Sequence, residues 1–225
     1  MKTLAELDDL DPADQLKELQ KLLLNARQPE EKASLLLGAS SSCTRLGKIS
    51  EAREYWVEAK KLVASPSSLD PFLLHADAYI TMCEGEHEDS REKYEASIRK
   101  FEELLTCKEF FADEENRDIQ LDGLCQIAFL KVKLGRFKEA IPLLKQAVES
   151  NLSDDLKARA TYFLGIAFYH QGLLSEAKEK LQNCEAMGGK FPFPRQDLYE
   201  WLAAVCSRLS LPAEAAQYRA ISKIQ

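Results

Sequence analysis

Five times along the chain, a break in a helical pattern carries one small residue seven positions before it and another five positions after it. The breaks are Gly47, Gly85, Gly135, Gly172 and Ser210. The small residues before them are Ser40, Ala78, Ala128, Gly165 and Ala203, and those after them are Ala52, Ser90, Ala140, Ala177 and Ala215. A small residue on each side of a turn lets two antiparallel helices approach closely while larger neighbours fill the gaps beside them. Nine positions after the break a large residue follows in four units, Trp56, Tyr94, Leu144 and Leu181, and Arg219 departs from the pattern in the fifth. Recurrence at intervals of 38, 50, 37 and 38 residues predicts an array of helical hairpins.

The clearest copy is ATYFLGIAFYHQGLLSEAKEKL, Ala160 to Leu181. Leu164, Gly165 and Phe168 line one helix, Gly172 breaks the chain, and Ala177 and Leu181 lie four apart on one face of the next helix. This pattern resembles the tetratricopeptide repeat. The resemblance covers about residues 33–225 and is strongest here and in LGRFKEAIPLLKQAVE, Leu134 to Glu149, although the spacing exceeds the family's usual period of about 34 residues. It implies an all-α fold, a right-handed α-α superhelix or solenoid of about five such hairpins with an N-terminal capping helix. The units fall at about 33–66, 71–106, 119–152, 156–190 and 195–225, as one array. Pro66, Asp70–Pro71, Ser153–Asp154–Asp155, Pro192 and Pro194 punctuate the boundaries with stops, caps and first-turn prolines.

Residues 1–32 form the cap region. Asp11–Pro12 opens a helix to about Ala26 with Leu16, Leu19, Leu22 and Leu23 on one side, which suits an end element that covers the open face of the first hairpin. The long second interval predicts an extended helix from Glu88 to Leu105 and a loop from Cys107 to Asp118. In that loop Phe110 and Phe111 either fold back on the nearest helix or reach for a partner.

The chain is 45% hydrophobic and 30% charged with a net charge of -7, and its lysines and arginines are interleaved with acids, which argues against a nucleic-acid partner. The opening MKTLAELDDLDPADQL has acids where a secretory signal needs a basic start, and no stretch approaches the roughly 20 apolar residues of a membrane span. The expected location is the cytoplasm, with no membrane association. Cys43, Cys83, Cys107, Cys125, Cys184 and Cys206 contain no CxxC pair and read as reduced core thiols. His75, His87 and His170 lack helical partners for a metal. No phosphate loop, nucleophile elbow, HExxH motif or paired acid–base cluster stands out, so the chain reads as a non-enzyme without a cofactor.

In the family the concave wall is lined by the first helix of each unit, so the resemblance implies which residues face a partner: those ten, six, three and two before each turn. The groove candidates are His75, Tyr79, Phe129, Lys133, Tyr162, Ile166, Tyr169 and Arg208, with Arg159 beside them. Recurring aromatics on one wall predict a protein or peptide partner, held by a scaffold-like interaction module. The alternative is a regulatory sensor that binds a small peptide or ligand. The open face of an end repeat also allows association into a homo-oligomer.

Overall fold

The computed structural model describes Leu7 and residues 10–150, 153–187 and 193–223, with Glu115 described by its backbone alone. Among the described residues there are eleven α-helices and no strand. The chain divides into two compact units, Met1–Asn116 and Arg117–Gln225. The fold is that of an α-helical hairpin array, with an N-terminal helix followed by five helix pairs.

The first unit holds α1 (Pro12–Leu23), α2 (Pro29–Arg45), α3 (Ile49–Leu62), α4 (Asp70–Glu88) and α5 (Arg91–Leu104). Asp11 caps α1, its side chain accepting from the amides of Ala13 and Asp14, and Pro12 stands at the first position, where its missing N–H costs nothing. Leu19 of α1 is fully buried beside Gly38 of α2, where an added Cβ would meet both Leu19 methyls at 3.3 Å. The capping helix thus docks on the first hairpin, α2 with α3. It ends at Leu23, three residues short of the expected Ala26. Trp56 joins this hairpin to the second, α4 with α5, by donating its indole N–H to the Leu73 carbonyl at 2.9 Å. Arg53 of α3 donates to Asp77, Thr81 and Glu84 of α4, and Lys100 of α5 pairs with Asp77 at 2.8 Å. These ion pairs are less than one third exposed, so they lock three helices together.

The second unit holds α6 (Arg117–Lys133), α7 (Phe137–Glu149), α8 (Asp154–His170), α9 (Leu174–Ala186), α10 (Arg195–Arg208) and α11 (Pro212–Ser222). Its pairs share one core built from Ala128, Ala140, Leu144, Leu164, Ala177, Leu181, Leu198 and Leu202. The helices approach closely at Gly165, where an added Cβ would lie 2.8 Å from Leu181 Cγ and 3.5 Å from the Ala177 carbonyl oxygen.

All five hairpins turn by one device. One or two residues past the first helix the chain adopts a left-handed conformation, at Gly47, Asp89, Gly135, Gly172 and Ser210, and the next amide reaches back to the carbonyl five residues earlier. These are Lys48 to Cys43, Ser90 to Gly85, Arg136 to Lys131, Leu173 to Phe168 and Leu211 to Cys206, all at 2.8–2.9 Å. This is the Schellman closure.

The second turn corrects the sequence reading, which sets it at Gly85. Gly85 is buried within α4, and a Cβ there would meet the Tyr94 ring at 3.0 Å, so this glycine makes room for an aromatic. Asp89 bends the chain instead, a role aspartate tolerates through its short polar side chain. The close pair of this hairpin accordingly lies one turn further from the bend, where Ser97 donates its hydroxyl to the Ala78 carbonyl at 2.8 Å. The extra residues also differ from expectation. They lengthen α4 rather than α5, and the segment after α5 contains 3-10 turns at Phe110–Ala112 and Glu114–Asn116. Phe110 packs edge-on against Phe72 at 5.1 Å and Phe111 is buried, so this loop folds back onto α4. Pro192, expected to separate the last two units, lies outside the described residues.

Candidate functional site

The groove candidates fall into both units, and each set stands by itself. In the first unit His75 and Tyr79 sit one turn apart on α4, with ring centroids 5.0 Å apart, and both rings meet Phe101 of α5, at 6.2 and 5.5 Å. Phe101 is fully buried, so this pair seals the hairpin it belongs to. With the turn at Asp89, the positions ten and six before it are Tyr79 and Cys83, and His75 leaves the register.

In the second unit the candidates form two aromatic groups along α6, α8 and α10. The first contains Phe129, Phe163, Tyr162 and Phe193. Phe129 and Phe163 lie 4.7 Å apart, Tyr162 and Phe193 lie 4.8 Å apart, and Phe163 meets Phe193 edge-on at 5.6 Å. The Arg159 guanidinium lies 5.0 Å over Phe129 and 5.9 Å from Phe193, a cation against the negative faces of two rings. Phe129 is 3% exposed, Tyr162 5% and Ile166 6%, so these three are packed under their neighbours. Burial, with Asp197 adding to it, pushes the Tyr162 hydroxyl well above the usual phenol range.

The second group gathers at the turn ends of the helices. His170 stacks flat on Phe137 at 4.1 Å and meets Tyr169 and Trp201 edge-on at 5.4 and 5.7 Å, and Tyr169 meets Trp201 at 5.3 Å. Arg208 lies 4.7 Å over the Tyr169 ring and donates through Nη1 to the Tyr169 carbonyl oxygen at 2.9 Å. Tyr169 and Trp201 are half-buried, whereas His170, Arg208 and Lys133 are exposed. Burial, and then the Arg208 charge, hold the His170 imidazole below its ordinary range.

Of the nine candidates, the structure joins Phe129, Arg159 and Tyr162 in one group and Tyr169 and Arg208 in the other. Ile166 belongs to the core and Lys133 to an exposed helix end. The reading missed Phe163 and Trp201, which share one register position, nine before their turns. It also missed Phe193, whose aromatic ring between two prolines was the signal, and Phe137, the first residue of α7.

Residues 126–182 match the model of the tetratricopeptide repeat. That stretch belongs to the tetratricopeptide repeat family. It spans the second half of α6, α7, α8 and most of α9, and the remaining pairs repeat the same turn. Solved tetratricopeptide structures share the fold. MamA 41-end from Desulfovibrio magneticus RS-1 is 21% identical, with 85% of this chain and 93% of that chain covered and a TM-score of 0.59. A putative kinesin light chain from Podosopora anserina with nearly identical TPR-like repeats is 17% identical, with 88% and 96% covered and a TM-score of 0.61. YrrB, described as a TPR protein with an unusual peptide-binding site, is 15% identical, with 89% and 88% covered and a TM-score of 0.54. No curated protein matches this sequence. No described helix is long and apolar enough to cross a membrane, and no group of three or more acidic, His or Cys side chains suited to a metal occurs among the described residues.

Proposed function

We propose that this chain is a cytoplasmic protein-interaction scaffold, and that the face of α6, α8 and α10 in its second unit binds a segment of a protein partner. The observation that carries the reading is the set of half-buried rings on this face, Phe163, Tyr169 and Trp201, with Arg159 and Arg208 lying against aromatic faces. Aromatic and arginine side chains contribute interface energy out of proportion to their number. They bury much area with few rotatable bonds and keep a polar tip for hydrogen bonding. Phe129, Tyr162 and Ile166 support this surface from beneath. The description of YrrB as peptide-binding agrees with such a use of the fold, and a reducing compartment suits a chain whose cysteines are mostly buried among core side chains.

The segment is extended or a short amphipathic helix with apolar anchors. Truncating a true anchor costs about 2 kcal/mol or more, some thirtyfold in affinity. The test compares Tyr169→Ala and Trp201→Ala with Tyr162→Ala and with Asn183→Ala on the outer helix α9. Partner capture from native lysate and melting temperature are measured on the same samples. The first two lose the partner while folded, Tyr162→Ala lowers the melting temperature, and Asn183→Ala changes neither. If Tyr169→Ala and Trp201→Ala stay folded and bind as wild type does, the interaction surface lies elsewhere.

A further inference from the structure

The half-buried rings of the second unit form two platforms along α8. Phe163 and Phe193 meet at the first, and Tyr169 and Trp201 at the second, where the His170 ring stacks flat on Phe137 at 4.1 Å. Burial, and then the Arg208 charge, keep that imidazole neutral at pH 7, so the rings of the second platform are uncharged. Phe163 and His170 are seven residues apart, as are Tyr162 and Tyr169, which sets the platforms about 10.5 Å apart along the helix.

The first platform already seats a short segment of the chain itself. Phe193 lies between two prolines in the sequence, and its ring packs 4.8 Å from Tyr162 and edge-on to Phe163 at 5.6 Å. Pro194, which is exposed, has φ -54° and ψ 128°, near the polyproline II values of about -75° and 145°. The fold thus lays a proline-flanked residue, entering a polyproline II conformation, on these rings.

Backbone forms differ in how they meet the spacing of the platforms. A polyproline II helix repeats every three residues, about 9.3 Å, so residues i and i+3 reach both platforms from one face. A β-strand returns to one face every second residue, at about 6.7 Å and then about 13.4 Å, and misses the second platform. An α-helix has the right rise between i and i+7 but satisfies its own carbonyls internally. A polyproline II segment leaves its carbonyls for outside donors, and this face supplies the Tyr169 hydroxyl and the N–H groups of Arg208 beyond the one given to the Tyr169 carbonyl. Proline rings are also rigid before binding, so little entropy is lost when they stack on aromatic side chains.

Resting on the peptide-binding reading of this face, we infer that the bound segment is proline-rich and lies along α8 as a polyproline II helix. One proline stacks on Tyr169 and Trp201, and another, three residues along, on the open side of Phe163 and Phe193.

The probes, each used on the intact chain, are a ten-residue proline peptide, a glycine–serine peptide of the same length and a phage-displayed library of random twelve-residue peptides. The chain has two tryptophans, so its proton–nitrogen correlation spectrum carries two indole signals, and Trp201→Phe assigns them. The proline peptide should shift the Trp201 signal and spare that of Trp56, whose N–H is held by the Leu73 carbonyl, and the glycine–serine peptide should shift neither. Tyr169→Ala should weaken the proline peptide about tenfold at an unchanged melting temperature. Library peptides should carry prolines three residues apart, and replacing either proline by alanine in the best binder should weaken it about fivefold or more. If selected peptides lose affinity on Tyr169→Ala and Trp201→Ala but hold no more proline than the unselected library, and the proline peptide shifts neither indole, the polyproline assignment is wrong and the peptide-binding face stands. If no probe binds, or the probes bind Tyr169→Ala and Trp201→Ala as they bind wild type, both readings fall.

Discussion

Replacing Gly165 with alanine tests the close contact between α8 and α9. The added methyl would stand 2.8 Å from Leu181 Cγ, 3.0 Å from Leu181 Cδ2 and 3.5 Å from the Ala177 carbonyl oxygen. Ala177 and Leu181 are both fully buried, and Cγ is the branch atom of the side chain, so the clash cannot be relieved by turning a terminal methyl. The helix must shift or Leu181 must leave its rotamer, which costs about 1–3 kcal/mol, while alanine's higher helix propensity returns about 1 kcal/mol. The net loss is roughly 1 kcal/mol, a fall of several degrees in melting temperature for a unit of this size. Gly38→Ala is the control. There the methyl meets the two ends of Leu19 at 3.3 Å, these can rotate aside, and the propensity gain should leave stability unchanged or higher. Thermal unfolding followed by circular dichroism reads both variants. A double variant with Leu181→Ala should lose less than the sum of the two single changes, because alanine lacks the Cγ and Cδ2 atoms that the new methyl would meet. If Gly165→Ala melts at or above the wild-type temperature, steric closeness does not set this contact and the packing argument fails.

Three further outcomes follow from other contacts. Ser210 holds a left-handed φ of 59° that an L side chain disfavours, so Ser210→Gly should raise the melting temperature by the equivalent of about 0.5–1 kcal/mol; a lowered value would mean the serine side chain stabilises the turn. Asp77→Ala removes the carboxylate shared by Arg53 and Lys100 in a largely buried site, leaving Arg53 on Glu84 and Lys100 on Thr81, and should cost about 2 kcal/mol in urea denaturation, whereas Asp14→Ala, which breaks the exposed pair with Lys17, should leave the curve in place. Burial pushes the Cys125 and Cys184 thiols from 9.0 up to about 12. Because the folded values are the raised ones, stability is intact below pH 9 and falls as the unfolded chain ionises between about pH 9 and 12. Cys184→Ala should make that alkaline decline shallower, and an unchanged slope would count against burial of this thiol.

The hairpins were legible because their bends and close approaches both need small residues. Gly47, Gly135, Gly172 and Ser210 sit where the left-handed turn requires them, and the paired small residues on either side fix the helix partners. Gly85 misled for the same reason. A glycine serves either a positive φ or a close neighbour, and the sequence does not say which. Only the Tyr94 ring against Gly85, and the aspartate able to turn four residues later, separate the two uses. The length of α4 depended on that choice, and with it the register of His75 and Tyr79.

The candidate face was legible by register and illegible by depth. Counting back from a turn identifies which side of a helix Tyr162 and Tyr169 occupy, and both lie on α8, the first helix of its hairpin. Their exposure is decided by residues from elsewhere in the chain. Phe193, in the segment before α10, covers Tyr162, while Tyr169 has Trp201 at its edge and Arg208 on its face, and stays half open. A ring is therefore available to a partner only where no later segment crosses it, and that is a property of the loops between hairpins, whose paths periodicity does not encode. The same reasoning explains why Arg208 carries more information than its position alone suggests. At the end of a helix it would serve as an ordinary dipole partner, but tethered to the neighbouring helix α8 it becomes a guanidinium fixed over the Tyr169 ring.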